Sequence, residues 1–153
     1  MANTYTQIHI QAIFAVQNRT CVIKKGWKEE LHKYITGIVE NHGHKMLQVN
    51  SMPDHVHLLF GLRPKESLSD LIKSVKGDSS KWINEKGFLR NKFSWQEGYG
   101  GFSYSKSQVP QVIKYIINQE EHHRKKTFIE EYIDFLDAFG VEYDRQYIFK
   151  EVL

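Results

Sequence analysis

The chain has a single cysteine, Cys21, among 153 residues. It can therefore form no intramolecular disulfide and no multi-thiolate zinc site, and without the flanking pattern of a nucleophile it reads as a structural residue. No run approaches the roughly 20 uninterrupted apolar residues needed to span a bilayer. Met1 to Gln7 also lacks a basic stretch followed by an apolar one, so the expectation is a cytoplasmic protein with no membrane partner. Low-complexity tracts are missing, which removes the compositional argument for disorder. Neither sign of charge is in large excess. The 21 Lys and Arg against 18 Asp and Glu leave +3, which permits a polyanionic partner without pointing to one.

What is present is the composition of an ordinary globular protein, at a length that suits one domain over residues 1–153. Thr6 to Val16 alternates, with Ile8, Ile10, Ala12, Phe14 and Val16 on one side, and predicts a half-buried strand. From Lys25 to His42 the apolar residues Trp27, Leu31, Tyr34, Ile35 and Ile38 recur at helical steps, and Gly43 provides a stop. Lys45 to Met52 and His55 to Leu62 read as strands about a Pro53-Asp54 turn. A second helix is expected after an N-cap at Ser67, ending near Gly87. Phe93 to Gln96 and Gly101 to Lys106 read as short strand pieces separated by glycines.

A third helix is expected from about Ser107 to Lys125, with Pro110 in its first turn. A fourth uses Phe128, Tyr132, Phe135, Leu136 and Phe139, and this C-terminal helix and tail, about 127–153, are expected to pack on the domain or on a partner copy. This order predicts an α+β fold, an antiparallel sheet with helices packed on one face and its other face available.

The candidate chemistry sits on the third strand and third helix. A period of two puts Val56, Leu58, Phe60 and Leu62 on one face of the strand and His55, His57 and Leu59 on the other. Two imidazoles at that spacing can offer nitrogen ligands to one cation, although two ligands rarely suffice. At about 100° per residue, Gln119 lies about 40° from Tyr115 on the border of an apolar stripe of Val109, Val112, Ile113, Ile116 and Ile117. There a phenol can reach solvent and a carboxamide oxygen can coordinate a hard cation. His122 and His123 follow on the same helix and read as helix-capping or DNA-contacting residues. Taken alone, an H-x-H pair is equally an ordinary polar pair on a solvated strand, and a Y-x-x-x-Q pair arises by chance.

The run Met52 to Leu59, containing His55, Val56 and His57, together with Tyr115 and Gln119, resembles the HUH signature of the single-tyrosine transposases of the insertion-sequence 200/605 type, including their repeat-associated relatives. The resemblance extends through the opening strand with Arg19, the Lys76 to Trp82 segment, Tyr115 to Lys125 and Phe135 to Phe149. Gly98 to Gly101 does not align. The resemblance implies a ferredoxin-like or RRM-like HUH fold, with His55, His57 and Gln119 binding Mg²⁺ or Mn²⁺ and Tyr115 as the nucleophile. It further implies a 5′-phosphotyrosine intermediate, single-stranded DNA with hairpins as substrate, and a homodimer in which Tyr115 serves its own or the partner's site.

Lys73, Lys76, Lys81, Arg124, Lys125 and Lys126 are the expected phosphate contacts, against the reading of a solvated helix surface. One alternative keeps the fold as a catalytically inactive or domesticated single-stranded nucleic-acid binding protein. Another makes the H-x-H pair the core of a hydrolase with a metal-activated water, against which stands the expectation that no acidic ligand is suitably placed, Asp54 pointing the other way. Replication initiators and relaxases would use the same chemistry on larger chains.

Overall fold

The computed structural model describes residues 3–144, so the expected tail beyond 144 lies outside the described residues. Four strands, β1 (His9–Ala15), β2 (Lys45–Met52), β3 (His55–Gly61) and β4 (Gly100–Tyr104), form one sheet in the order β2-β3-β1-β4. Every pairing is antiparallel. The helices are α1 (Lys25–Asn41), α2 (Leu68–Lys86), α3 (Val109–Ile117), α4 (Gln119–His122) and α5 (Phe128–Ala138). The α+β class with an antiparallel sheet is thus as the sequence predicts. None of these helices is long and apolar enough to cross a membrane.

Local chemistry accounts for the boundaries. The Ser67 side chain accepts from the Asp70 N–H at 3.0 Å and starts α2, which stops at Gly87 in the left-handed region. At α5, Thr127 and Glu130 form a reciprocal capping box, each satisfying a backbone N–H of the other. Only the bridge of Val16 to Trp95 represents the strand piece expected at Phe93 to Gln96. The helix expected from Ser107 to Lys125 is divided at Asn118 (φ −90°, ψ 22°). There the Asn50 side chain on β2 donates to the Ile116 carbonyl at 2.7 Å, drawing it out of the helical ladder.

One sheet face carries the main core. Ile10, Ala12, Phe14, Val56, Leu58 and Phe60 pack against Trp27, Leu31 and Ile35 of α1 and Leu71, Ile72 and Val75 of α2. The opposite face, expected to stay available, is covered as well. Val112 and Ile116 of α3 pack on Leu59, and Leu136 of α5 packs on Ile13 and Phe102. The reason is the alternation itself, because Ile13, Leu59 and Phe102 fall on that face and apolar surface of that extent must be buried. Cys21, expected to be structural, is instead exposed.

Candidate active site

His55 and His57 lie on the second face of the central strand β3 and are fully buried, not solvated as their place on an open sheet would make them. Each is oriented through Nδ1. The His55 Nδ1–H donates to Asp54 Oδ1 at 2.7 Å, so Asp54, expected to face away, is the carboxylate that orients this ring. Gln11 on β1 donates through Nε2 to the Tyr104 hydroxyl at 2.8 Å, which leaves its oxygen to accept from His57 Nδ1–H at 2.7 Å. Both rings thereby turn their Nε2 lone pairs inward, the arrangement by which metal-ligating histidines are held.

Facing them is Glu131 of α5, buried at 4% exposure. Its Oε1 lies 3.1 Å from His57 Nε2, 3.2 Å from His123 Nε2 and 3.7 Å from His55 Nε2. Its Oε2 accepts from the Tyr115 hydroxyl and, at 3.2 Å, from Gln119 Nε2. Gln119 is fully buried and its Oε1 lies 3.1 Å from His123 Nε2. Tyr115 is half-buried, stacked on His122 with centroids 4.3 Å apart and 6.1 Å from the His57 ring. The four expected residues His55, His57, Tyr115 and Gln119 are thus brought together within one chain.

Gln11, His123 and Glu131 were missed by sequence reasoning. His123 reads there as a cap or DNA contact but enters the cluster, while its neighbour His122 stacks on the tyrosine. Glu131 overturns the expectation that no acidic group is suitably placed. The available signal was a carboxylate flanked at helical spacing by Phe128 and Phe135, a poor place for a charge unless it has partners.

The electrostatics follow from burial. It lowers the His57 pKa to about 4, against the opposing pull of Glu131, so the ring is neutral at pH 7. Burial alone would raise the Glu131 carboxyl, but hydrogen bonds from His123 and Tyr115 and the nearby His57 ring outweigh it and hold it ionised. Burial lowers His123 less than its hydrogen bond and proximity to Glu131 raise it. For Tyr115, burial and then the adjacent Glu131 charge both push the phenol above its ordinary value.

The donor set fits a divalent cation. Ligand atoms of His55, His57, His123 and Glu131 lie within 4.8 Å of one another. Among the described residues the buried His55 Nε2 has no hydrogen-bond partner, and an orphaned, inward-facing lone pair is what a cation would satisfy.

The expected phosphate contacts divide. Lys125 and Lys126 line a cleft of about 480 Å³ beside Tyr115, with Gln11, Phe135 and Phe139 in its wall. Arg124, adjacent in the chain, is exposed and 3.3 Å from Glu121. Lys73, Lys76 and Lys81 belong to α2, on the far face of the sheet. Lys76 is committed to the fold, donating to the carbonyls of Gln96 at 2.7 Å and Gly98 at 2.6 Å.

Comparison with known proteins gives the family and the fold. The chain is 27% identical over 122 residues to the ISDra2 transposase TnpA of Deinococcus radiodurans, covering 75% of this chain and 86% of that protein. Two solved structures share the fold. One, described as a transposase of Deinococcus radiodurans R1, has a TM-score of 0.63 at 24% identity over 76% of this chain and 94% of its own. The other, a REP-associated tyrosine transposase bound to a REP hairpin, has a TM-score of 0.59 at 14% identity, covering 79% and 72%. The pattern of the IS200-like transposases matches residues 4–119, from the lead-in to β1 through Gln119, and on that match the chain belongs to the IS200-like transposase family.

Proposed function

We propose that this transposase cleaves and rejoins single-stranded DNA at hairpin-bearing ends, with Tyr115 as nucleophile and with Mg²⁺ or Mn²⁺ held by His55, His57 and Gln119. The observation that carries the reading is the convergence of the Tyr115 hydroxyl and the two inward-facing imidazoles on one buried carboxylate. A phenol needs no such neighbourhood for packing.

Tyr115 Oη attacks the phosphorus of the scissile diester, forming the phosphotyrosine bond while the bond to the 3′ oxygen breaks. The 3′ oxygen leaves with the electron pair and is protonated. A phenol pushed above its ordinary pKa must surrender its proton as the bond forms, and its hydrogen bond runs to Glu131. Packing of the Tyr115 ring against His122 and Phe135 limits its rotation and favours in-line attack. When bound, the divalent cation draws charge from the non-bridging oxygens and orients the diester. In the second half-reaction a 3′-hydroxyl attacks the phosphotyrosine and releases Tyr115, so no water or nucleotide is consumed.

The cleft beside Tyr115, with cationic Lys125 and Lys126 and an aromatic wall, suits a single strand whose bases stack while its phosphates meet cations. A homodimer is part of this reading. Each copy would carry a complete site, because Tyr115 meets the histidines of its own chain.

The experiment is incubation of the protein with labelled hairpin oligonucleotides from the flanks of its own gene, with Mn²⁺, followed by a denaturing gel. A covalent band that disappears with Tyr115→Phe and with chelator supports the reading. Retained binding without any covalent band would favour a non-catalytic single-strand binding protein. Light scattering on the same sample reads the dimer.

A further inference from the structure

The family pattern ends at Gln119, whereas the cluster continues into His123 and into Glu131 of α5. We propose that Glu131 is a ligand of the divalent cation through Oε1, and that through Oε2 it positions the Tyr115 hydroxyl beside that cation. The inference rests on the proposed function for the role of Tyr115, and on this chain's own geometry for the metal.

Three observations carry it. The Nδ1–H groups of His55 and His57 are spent on Asp54 and Gln11, so both Nε2 atoms face the Glu131 carboxylate as acceptors. Acceptors that converge on an anion with no proton between them mark a cation site. Second, Glu131 is buried at 4% exposure, and the described contacts of its Oε1 at ion-pair distance are all with ring nitrogens of the cluster's histidines. Tyr115 and Gln119 donate to its Oε2, which leaves Oε1, facing the imidazole nitrogens, as the oxygen open to a cation. Third, the placement is built. The Thr127 capping box sets the start of α5, Phe128 stacks on the His55 ring at 4.2 Å, and Phe135 packs on both Tyr115 and Phe102. These contacts leave Glu131 one face, the one toward the imidazoles. The set of imidazole nitrogens with one carboxylate suits Mn²⁺ better than Mg²⁺, whose preference is for oxygen.

The test is Mn²⁺ binding to the full chain by isothermal titration calorimetry, without DNA, for the native protein and for Glu131→Gln, Glu131→Asp, His57→Ala and Tyr115→Phe. Glu131→Gln keeps an acceptor for Tyr115 and removes the charge. Its Mn²⁺ affinity is expected to fall at least about tenfold, with His57→Ala lower still and Tyr115→Phe within about twofold of native. Glu131→Asp, which keeps the charge on a shorter arm, should recover part of the loss and stands in if the Gln variant does not fold by circular dichroism. Unchanged or tighter Mn²⁺ binding by the Glu131 variants would overturn the assignment, because the carboxylate would then only be filling the metal's place. At saturating Mn²⁺, Glu131→Gln should still slow single-turnover adduct formation, and a native rate there would overturn the positioning role. Failure of the native chain to form any adduct would sink the proposed function while leaving the metal result readable.

Discussion

Phe128 stacks on the His55 imidazole with centroids 4.2 Å apart and an interplanar angle of 28°. This contact ties the first residue of α5 to the first histidine of the H-x-H pair. The helix that follows the family's matched segment is therefore a wall of the candidate site, and whatever displaces α5 displaces Glu131 with it. It also closes the sheet face that a reading of β3 alone leaves open.

Gln11 has no place in the sequence motif, yet it sets the His57 tautomer. Replacing it by leucine removes the acceptor at His57 Nδ1 and frees the ring to turn. Gln11→Leu is expected to keep the fold while lowering Mn²⁺ affinity about 10- to 100-fold, measured by calorimetry beside the native chain.

Stability should fall on mild acidification. Burial lowers both His32 and His57 to about 4, so each is neutral in the native protein. Unfolded histidine takes up a proton near pH 6.5, so between about 6.5 and 4 the unfolded state binds more protons and the native state loses stability as pH falls. Urea midpoints measured across this window should decline, and His32→Gln should flatten part of the slope. His32 lies outside the site, hydrogen-bonded to Ser51 at 2.7 Å, so the change would report folding and not catalysis.

Two lysines with the same formal charge should behave differently. Lys125→Ala should weaken single-stranded DNA binding and reduce the slope of log affinity against log salt by about 0.7, since Lys125 lines the cleft beside Tyr115. Lys76→Ala should leave that slope unchanged and cost about 1–2 kcal/mol of stability, because it removes two hydrogen bonds that hold the Gln96 and Gly98 carbonyls. Salt titrations of binding and urea unfolding of both variants separate the two roles.

Gly100 opens β4 against Tyr132 of α5. A Cβ there would stand 2.8 Å from Tyr132 Cε1 and 3.0 Å from Phe102 Cε2. Gly100→Ala is expected to cost about 1–3 kcal/mol and, by pushing α5 outward, to weaken Mn²⁺ binding as well. A thermal melt and a metal titration on the same sample test both effects.

The sequence by itself determined the strands, the long helices and four of the residues that the fold brings together, His55, His57, Tyr115 and Gln119. Alternation in β1 and β3, the Ser67 cap, the Gly87 stop and the spacing of His55 from His57 are local patterns, and local patterns are readable because the backbone's two periodicities impose them. Tyr115 and Gln119 were likewise legible, being four residues apart on one helix border. The division of the third helix was not, because its cause is Asn50, a residue 66 positions earlier in the chain. Nor was the covered second face, which depends on how Ile13, Leu59 and Phe102 sum across three strands. The tertiary structure alone decided that Gln11, His123 and Glu131 join the site. A polar side chain's role depends on which partners meet it after burial, and neither propensity nor periodicity carries that information.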